Sequence, residues 1–213
     1  MGIGQEDLYK LVNLKKDYPD LKKCAILGDC SFWYSQGSKE HFKNIMNLDI
    51  VETFDISGEP DFKLDLTLEL DKNFKNKYDL VIDAGTLACV FDIPSCLKNI
   101  LFMLKNNGII VHEDNLIGHF GKTRAIYGLS PHFFNLFYKN NGCEIIEMSY
   151  LIKGGEYKYI NIPKDCTYLS NATQSTLNWV NYPVTTLNMI PCDCSIFVIV
   201  HRINDIKFNK NIY

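Results

Sequence analysis

The chain has 213 residues, 46% of them hydrophobic and 22% charged, with a formal net charge of −3. That length holds one domain with a real core, and the near-neutral balance excludes nucleic-acid or anionic-membrane binding through bulk charge. No run of about 18 apolar residues occurs, so no membrane-spanning helix is expected.

Residues 5–18 have the helical pattern, with Leu8, Leu11 and Val12 on one side, and Pro19 stops it. Residues 23–28 (KCAILG) form a short buried strand ending at a glycine. Ser38 then caps a helix through about Asn47, with Phe42, Ile45 and Met46 inward. Residues 49–54 are the second strand, ending at Asp55, and residues 62–66 a weaker third. Residues 78–82 (YDLVI) are the fourth, apolar as a strand buried on both faces should be. Residues 94–105 form a helix with Pro94 in its first turn and a Leu97, Ile100, Leu101, Leu104 stripe. Asn107-Gly108 gives it a left-handed stop.

Residues 109–112 (IIVH) are the fifth strand. Ser130-Pro131 opens another helix with Phe133, Phe134 and Phe137 inward, and Asn141-Gly142 closes it. Residues 144–152 and 195–202 are the last two strands, separated by a polar, irregular stretch of about forty residues, 153–194, a length that usually carries function. Alternating strands and helices imply a parallel sheet with right-handed crossovers. The expectation is one domain over residues 1–213, with its ligand crevice beyond the carboxyl ends of the strands.

Glycines and polar groups gather at those strand ends: Gly28-Asp29-Cys30, Asp55-Ile56-Ser57, Asp65-Leu66, Asp83-Ala84-Gly85-Thr86 and His112-Glu113-Asp114-Asn115. Parallel strands place all five on one edge. Carboxylates beside glycines suit a ligand with hydroxyls, an amine and an adenine. They do not suit a polyphosphate: no G-x-x-x-x-G-K-[ST] is present, and Gly28 lacks the partners of a dinucleotide fingerprint. Singly, Asp55 and Asp65 read as turn caps, and it is their order among the other clusters that favours a ligand. His112, ending a buried strand, reads equally as a hydrogen-bonded core histidine. The eight cysteines are scattered, and Cys192-x-Cys194 is too small a set for a metal site. The acidic start, Glu6 and Asp7, does not read as a secretory signal, so a cytoplasmic protein with reduced thiols is expected.

The run YDLVIDAGTLACVFDIPSCLKNILFMLKNNGIIVHEDN resembles the fourth-to-fifth-strand segment of class I S-adenosylmethionine-dependent methyltransferases. FDIS at residues 54–57 resembles the acidic end of the second strand, KLDLT at 63–67 the aspartate that receives the adenine amino group, and GCEIIEMSYLI with CSIFVIVHRI the antiparallel sixth and seventh strands. More narrowly, the chain resembles bacterial methyltransferases of surface and capsular polysaccharide gene clusters. The resemblance implies an α/β, Rossmann-like three-layer sandwich with a seven-stranded, mostly parallel sheet and an antiparallel last strand. It implies S-adenosylmethionine held by Gly28, Asp29, Cys30, Asp55, Ile56, Asp65, Leu66, Asp83, Ala84 and Gly85. It departs from the family at Gly28-Asp29-Cys30, where G-x-G-x-G is usual, and at Ala88-Cys89, where the narrower group has Glu-His.

The acceptor side falls to HEDNLIGHFGKTRAIY, residues 112–127, and to residues 153–194. Within it His119 is the first choice of general base, since histidine titrates near neutral pH. Arg124 suits an anionic acceptor, and His112 and Tyr127 complete the catalytic candidates. The expected reaction is methyl transfer to an oxygen, with nitrogen second, of a small or sugar-linked acceptor. Asp83 with Asp114-Asn115 also resembles the oxygen ligands of catechol-type O-methyltransferases, a set suited to Mg²⁺. A non-catalytic Rossmann-fold binding protein is the alternative of a different class.

Overall fold

The computed structural model describes residues 2–35, 37–117, 126–154, 156–162 and 194–204. The chain opens with strand β1 (Gly2–Gly4) and helix α1 (Gln5–Asp17), then β2 (Lys23–Leu27), β3 (Ser31–Trp33), α2 (Lys39–Ile45), β4 (Ile50–Asp55) and β5 (Phe62–Lys63). It continues through β6 (Tyr78–Asp83), α3 (Ile93–Met103), β7 (Leu104–Ile117), α4 (Pro131–Asn140), β8 (Cys143–Gly154), β9 (Glu156–Asn161) and β10 (Cys194–Arg202).

Helix starts follow the capping residues. Ser38 Oγ accepts from His41 N at 3.1 Å, Asp92 from Ser95 N at 3.1 Å and Ser130 Oγ from Phe133 N at 3.2 Å. Pro94 and Pro131 stand in the first turns, where a missing N–H costs nothing. Arg202 finishes α3 from across the sheet, its Nη1 donating to Leu101 O, Leu104 O and Asn76 Oδ1.

The main sheet runs in the order β5-β4-β2-β6-β7-β10-β8-β9. Strands β5, β4, β2, β6 and β7 are parallel, while β10 is antiparallel to both β7 and β8. The chain winds outward from β2 in one direction and from β6 in the other. The topological switch therefore lies between β2 and β6, where Leu27 pairs with Asp83, and the crevice beyond those two ends is where such sheets bind ligands.

Strand alternation sorts the core into two faces. Ala25, Leu27, Val81, Ile110, Ile196, Val198 and Val200 pack against α3 and α4, whereas Cys24, Ile26, Leu80, Ile82, Ile109, Val111, Phe197 and Ile199 pack against α1 and α2. This is the Rossmann-like three-layer arrangement, with the seven expected strands present.

The structure also adds strands. Strand β9 falls inside the segment expected to be irregular and pairs antiparallel with β8 from Gly154↔Glu156 to Ser149↔Asn161. Strand β3 lies in the expected connection after β2 and pairs with β1 in a separate two-stranded sheet. The ladder between β7 and β6 stops at Asp83↔His112, but β10 carries β7 onward as far as Ile117. Glu113, Asp114 and Asn115 therefore belong to a strand and not to the loop after it.

Candidate functional site

At the switch point the ends of β2 and β4 are tied together by their own polar groups. Gly28, at φ +95°, turns the chain out of β2 while its N–H donates to Phe54 O at 2.7 Å. Asp29 N donates to Asp55 Oδ2 at 2.7 Å, and Ser57 N and Oγ donate to Asp55 Oδ1 at 3.0 and 3.3 Å. Asp29 in turn accepts from Glu59 N at 3.2 Å, and Leu64 N bonds Asp55 O at 2.9 Å, bringing the third strand's end alongside. Asp65 is exposed and its Oδ1 accepts from Thr67 N and Oγ1 at 2.8 and 2.7 Å.

The residues after these carboxylates differ in burial: Ile56 is 64% exposed while Leu66 is buried. This rim offers carboxylate oxygens with unused lone pairs beside an open apolar side chain. That combination fits ribose hydroxyls and an adenine face. Cys30 is half-buried, and burial above all pushes its thiol up to about 12.

Asp83 and Asp114 do not join that rim. Both carboxyls are fully buried on the α3/α4 face, with His112 between them. His112 Nδ1 lies 2.8 Å from Asp83 Oδ2 and 3.7 Å from Asp114 Oδ2, and its Nε2 bonds the Tyr138 hydroxyl from α4. The two carboxyls hold the turn that follows β6. Asp83 Oδ1 accepts from Thr86 N at 2.8 Å and Leu87 N at 3.1 Å, and Asp114 Oδ1 from Ala88 N at 3.3 Å. Burial opposes ionisation of Asp83, but the His112 bond, the Asp114 bond and the Leu87 N–H outweigh it and hold the group below its ordinary range. Burial and the neighbouring Asp83 charge drive Asp114 well above its ordinary value. His112, expected as a catalytic candidate, is thus a fully enclosed member of this network.

The same turn meets the segment expected to form the acceptor side. Ala88 O accepts from Ile126 N at 2.7 Å and Tyr127 N at 3.2 Å, and Tyr127 packs half-buried on the α3/α4 core. Ala84 and Gly85 are buried, with Gly85 at φ +93° supporting the bend after β6. His119 and Arg124 lie outside the described residues, as does the side chain of Asn115. Sequence reasoning missed Tyr138 as the partner of His112, and nothing in the phenylalanine-rich helix signals it. It also missed Ala88, whose role is purely backbone.

The ligand atoms of Asp83, His112 and Asp114 lie within 4.8 Å of one another. They nevertheless fit a magnesium ion poorly. Mg²⁺ keeps several waters, and all three side chains have zero exposure. A histidine nitrogen at hydrogen-bond distance from Asp83 also occupies the gap that an ion would need.

No protein-family model and no curated protein matches the sequence. Solved structures do match. StiE O-MT residues 961–1257 superpose with a TM-score of 0.58 at 14% identity, covering 96% of this chain and 75% of that one. The N-methyltransferase NodS from Bradyrhizobium japonicum WM9 gives 0.55 at 10% identity, covering 94% and 96%, and has also been solved with S-adenosyl-L-homocysteine. The [4+2]-cyclase SpnF gives 0.54 at 12% identity, covering 94% and 83%. At these identities the likeness is one of fold, and the fold is the Rossmann-like one of the S-adenosylmethionine-dependent methyltransferases.

Proposed function

We propose that the chain is an S-adenosylmethionine-dependent methyltransferase acting on an oxygen, with nitrogen the second choice, of a small or sugar-linked acceptor. Modification of a surface or capsular polysaccharide precursor is the context that the sequence resemblance suggests. The observation that carries the reading is the rim at the switch point, where half-buried Asp55 is bonded to Asp29 N and stands beside the open Ile56 side chain. Asp55 would hold the ribose hydroxyls, the free oxygen of Asp65 the adenine amino group, and Ile56 one face of the ring. The bound sulfonium supplies an electrophilic methyl group.

The protein's task is then alignment and exclusion of water, with a base where the nucleophile carries a proton. With the sulfonium bound, His119 would take the proton of the acceptor oxygen as that oxygen is methylated. Arg124 would neutralise an anionic acceptor. The reading is of a cytoplasmic enzyme working on a small or carbohydrate-linked acceptor. Among the described residues no helix is long and apolar enough to cross a membrane.

A second reading rests on one observation: Ser31–Trp33 is a strand paired with Gly2–Gly4 where the family's glycine turn would wrap the methionine half. A protein so built could bind the nucleoside and lack turnover. A thermal-shift panel with S-adenosylhomocysteine, NAD, Mg²⁺ and EDTA tests both. Saturation at about 100 times Kd adds about 2.7 kcal/mol to the folded state. A shift with S-adenosylhomocysteine and not NAD supports the cofactor, and methyl transfer to an acceptor panel then separates enzyme from binder. No shift with S-adenosylhomocysteine rejects both readings.

A further inference from the structure

The Asp83–His112–Asp114–Tyr138 cluster makes an accounting problem. Asp83 receives Thr86 N and Leu87 N on one oxygen and His112 Nδ1 on the other. In the tautomer whose Nδ1–H points toward Asp83, Nε2 of His112 is the acceptor for the Tyr138 hydroxyl. Asp114 Oδ1 receives Ala88 N, but its Oδ2 is buried and among the described residues no donor reaches it. An ionised Asp114 would place an uncompensated charge beside Asp83 with no water to screen it. Among the described residues, the other groups facing the pair bring no cation: Tyr138 comes from α4, Cys96 from α3 and Glu113 from β7 itself, and across the ladder stands apolar Ile196 of β10.

We propose that Asp114 is a neutral carboxylic acid donating its Oδ2–H to Asp83, and that this proton, in place of a metal ion, positions the Thr86–Ala88 turn between the cofactor rim and the acceptor segment. The two carboxyls then hold three successive amides, of Thr86, Leu87 and Ala88. The other face of that turn is the Ala88 carbonyl, which anchors Ile126 and Tyr127 where the acceptor segment re-enters the core. The bonding belongs to the folded chain alone; only the positioning role rests on the methyltransferase reading.

The conservative variant Asp114→Asn is the discriminating one. Its amide donates to Asp83 and its oxygen still accepts from Ala88 N. Asp114→Ala keeps neither bond. On the full chain at neutral pH, infrared spectra with carboxyl-labelled aspartate should contain a protonated buried carboxyl band that Asp114→Asn lacks. Asp114→Asn should melt within about 3 °C of the wild type and Asp114→Ala at least about 5 °C lower. Mg²⁺, Mn²⁺, Zn²⁺ and EDTA should leave the melting temperature unchanged. S-adenosylhomocysteine affinity should survive in Asp114→Asn and fall about tenfold in Asp114→Ala.

A missing band, an Asp114→Asn variant as unstable as Asp114→Ala, or a stoichiometric metal whose removal lowers the melting temperature would overturn the proton. Equal ligand affinity in all three proteins would overturn the positioning role. A wild type that binds no S-adenosylhomocysteine removes the cofactor rim and that role with it, while the band and the melting order still decide the proton.

Discussion

Asp55 has two duties that a substitution would separate. Its carboxylate holds the β2–β4 rim together through Asp29 N and Ser57 N, and under the proposed function it also receives the ribose hydroxyls. Hydrogen bonds to a charged group contribute about 1.5–3 kcal/mol each, so Asp55→Ala should weaken S-adenosylhomocysteine binding by about 10- to 100-fold in calorimetry. Unchanged affinity would place the ligand elsewhere. Cys30 stands two residues after Gly28, and its thiol stays protonated until the pH approaches about 12 because burial disfavours the thiolate. At pH 8 iodoacetamide should therefore label Cys30 far more slowly than a free thiol, as read by peptide mapping. Fast labelling would mean that the loop opens.

At this scale the place of Asp55 at the end of its strand was readable, while Asp65 falls two residues beyond β5 and caps its own turn through Thr67. The places of Asp83 and Asp114 were not readable. Their positions in the sequence also suit the rim, and only the alternation that puts Val81, Ile110 and His112 on one sheet face shows that they turn inward.

Single residues also join whole elements, and Asp79 joins three. Its Oδ2 accepts from Lys22 N and Lys23 N at the start of β2, and its Oδ1 bonds Lys105 Nζ on β7 at 2.7 Å. Burial alone would raise this carboxyl, but the Lys105 ammonium and the two amides outweigh it and hold it below its ordinary value. A depressed carboxyl stabilises the fold above its unfolded pKa of about 3.9 and loses that contribution as pH falls through the lower folded value. Asp79→Asn should therefore cost about 1–2 kcal/mol at pH 7, allowing for partial solvent access. The gap from wild type should close as pH drops from about 4 toward 2, in denaturant titrations at each pH. A gap that widens on acidification would reverse the assignment.

Helices were the most legible elements because Ser38 and the pair Ser130-Pro131 mark their starts chemically, whereas the stop expected at Asn107-Gly108 falls inside β7, α3 having already ended at Met103. The expected start of α3 at Pro94 shifts to Ile93 once Asp92 is seen to cap it. The short strands had no such marks. Strands β1 and β3 exist through pairing with each other, and β7 reaches Ile117 only because β10 supplies partners beyond the end of β6. Tertiary pairing of this kind overrides local pattern.

For the whole molecule the decisive feature is one sheet serving two cores. Leu11 of α1 is 1% exposed in the core on one face, and Leu97 of α3 is 1% exposed in the core on the other. The alternation within β2, β6, β7 and β10 was visible in the sequence as uninterrupted apolar runs, which is why the layered architecture could be read before its strand order. The order itself follows from the chain reversing direction between β2 and β6, which no local pattern encodes. Because the central strands belong to both cores, neither face can melt while the other keeps its sheet. Leu11→Ala and Leu97→Ala should each cost about 2–5 kcal/mol. The two sites are separated by the thickness of the sheet and its flanking layers, so the double variant should lose the sum to within about 0.5 kcal/mol. Circular dichroism and calorimetry should report one coincident transition in each protein. Two resolved transitions, with each substitution moving only one of them, would mean that the faces unfold independently and that the sheet does not couple them.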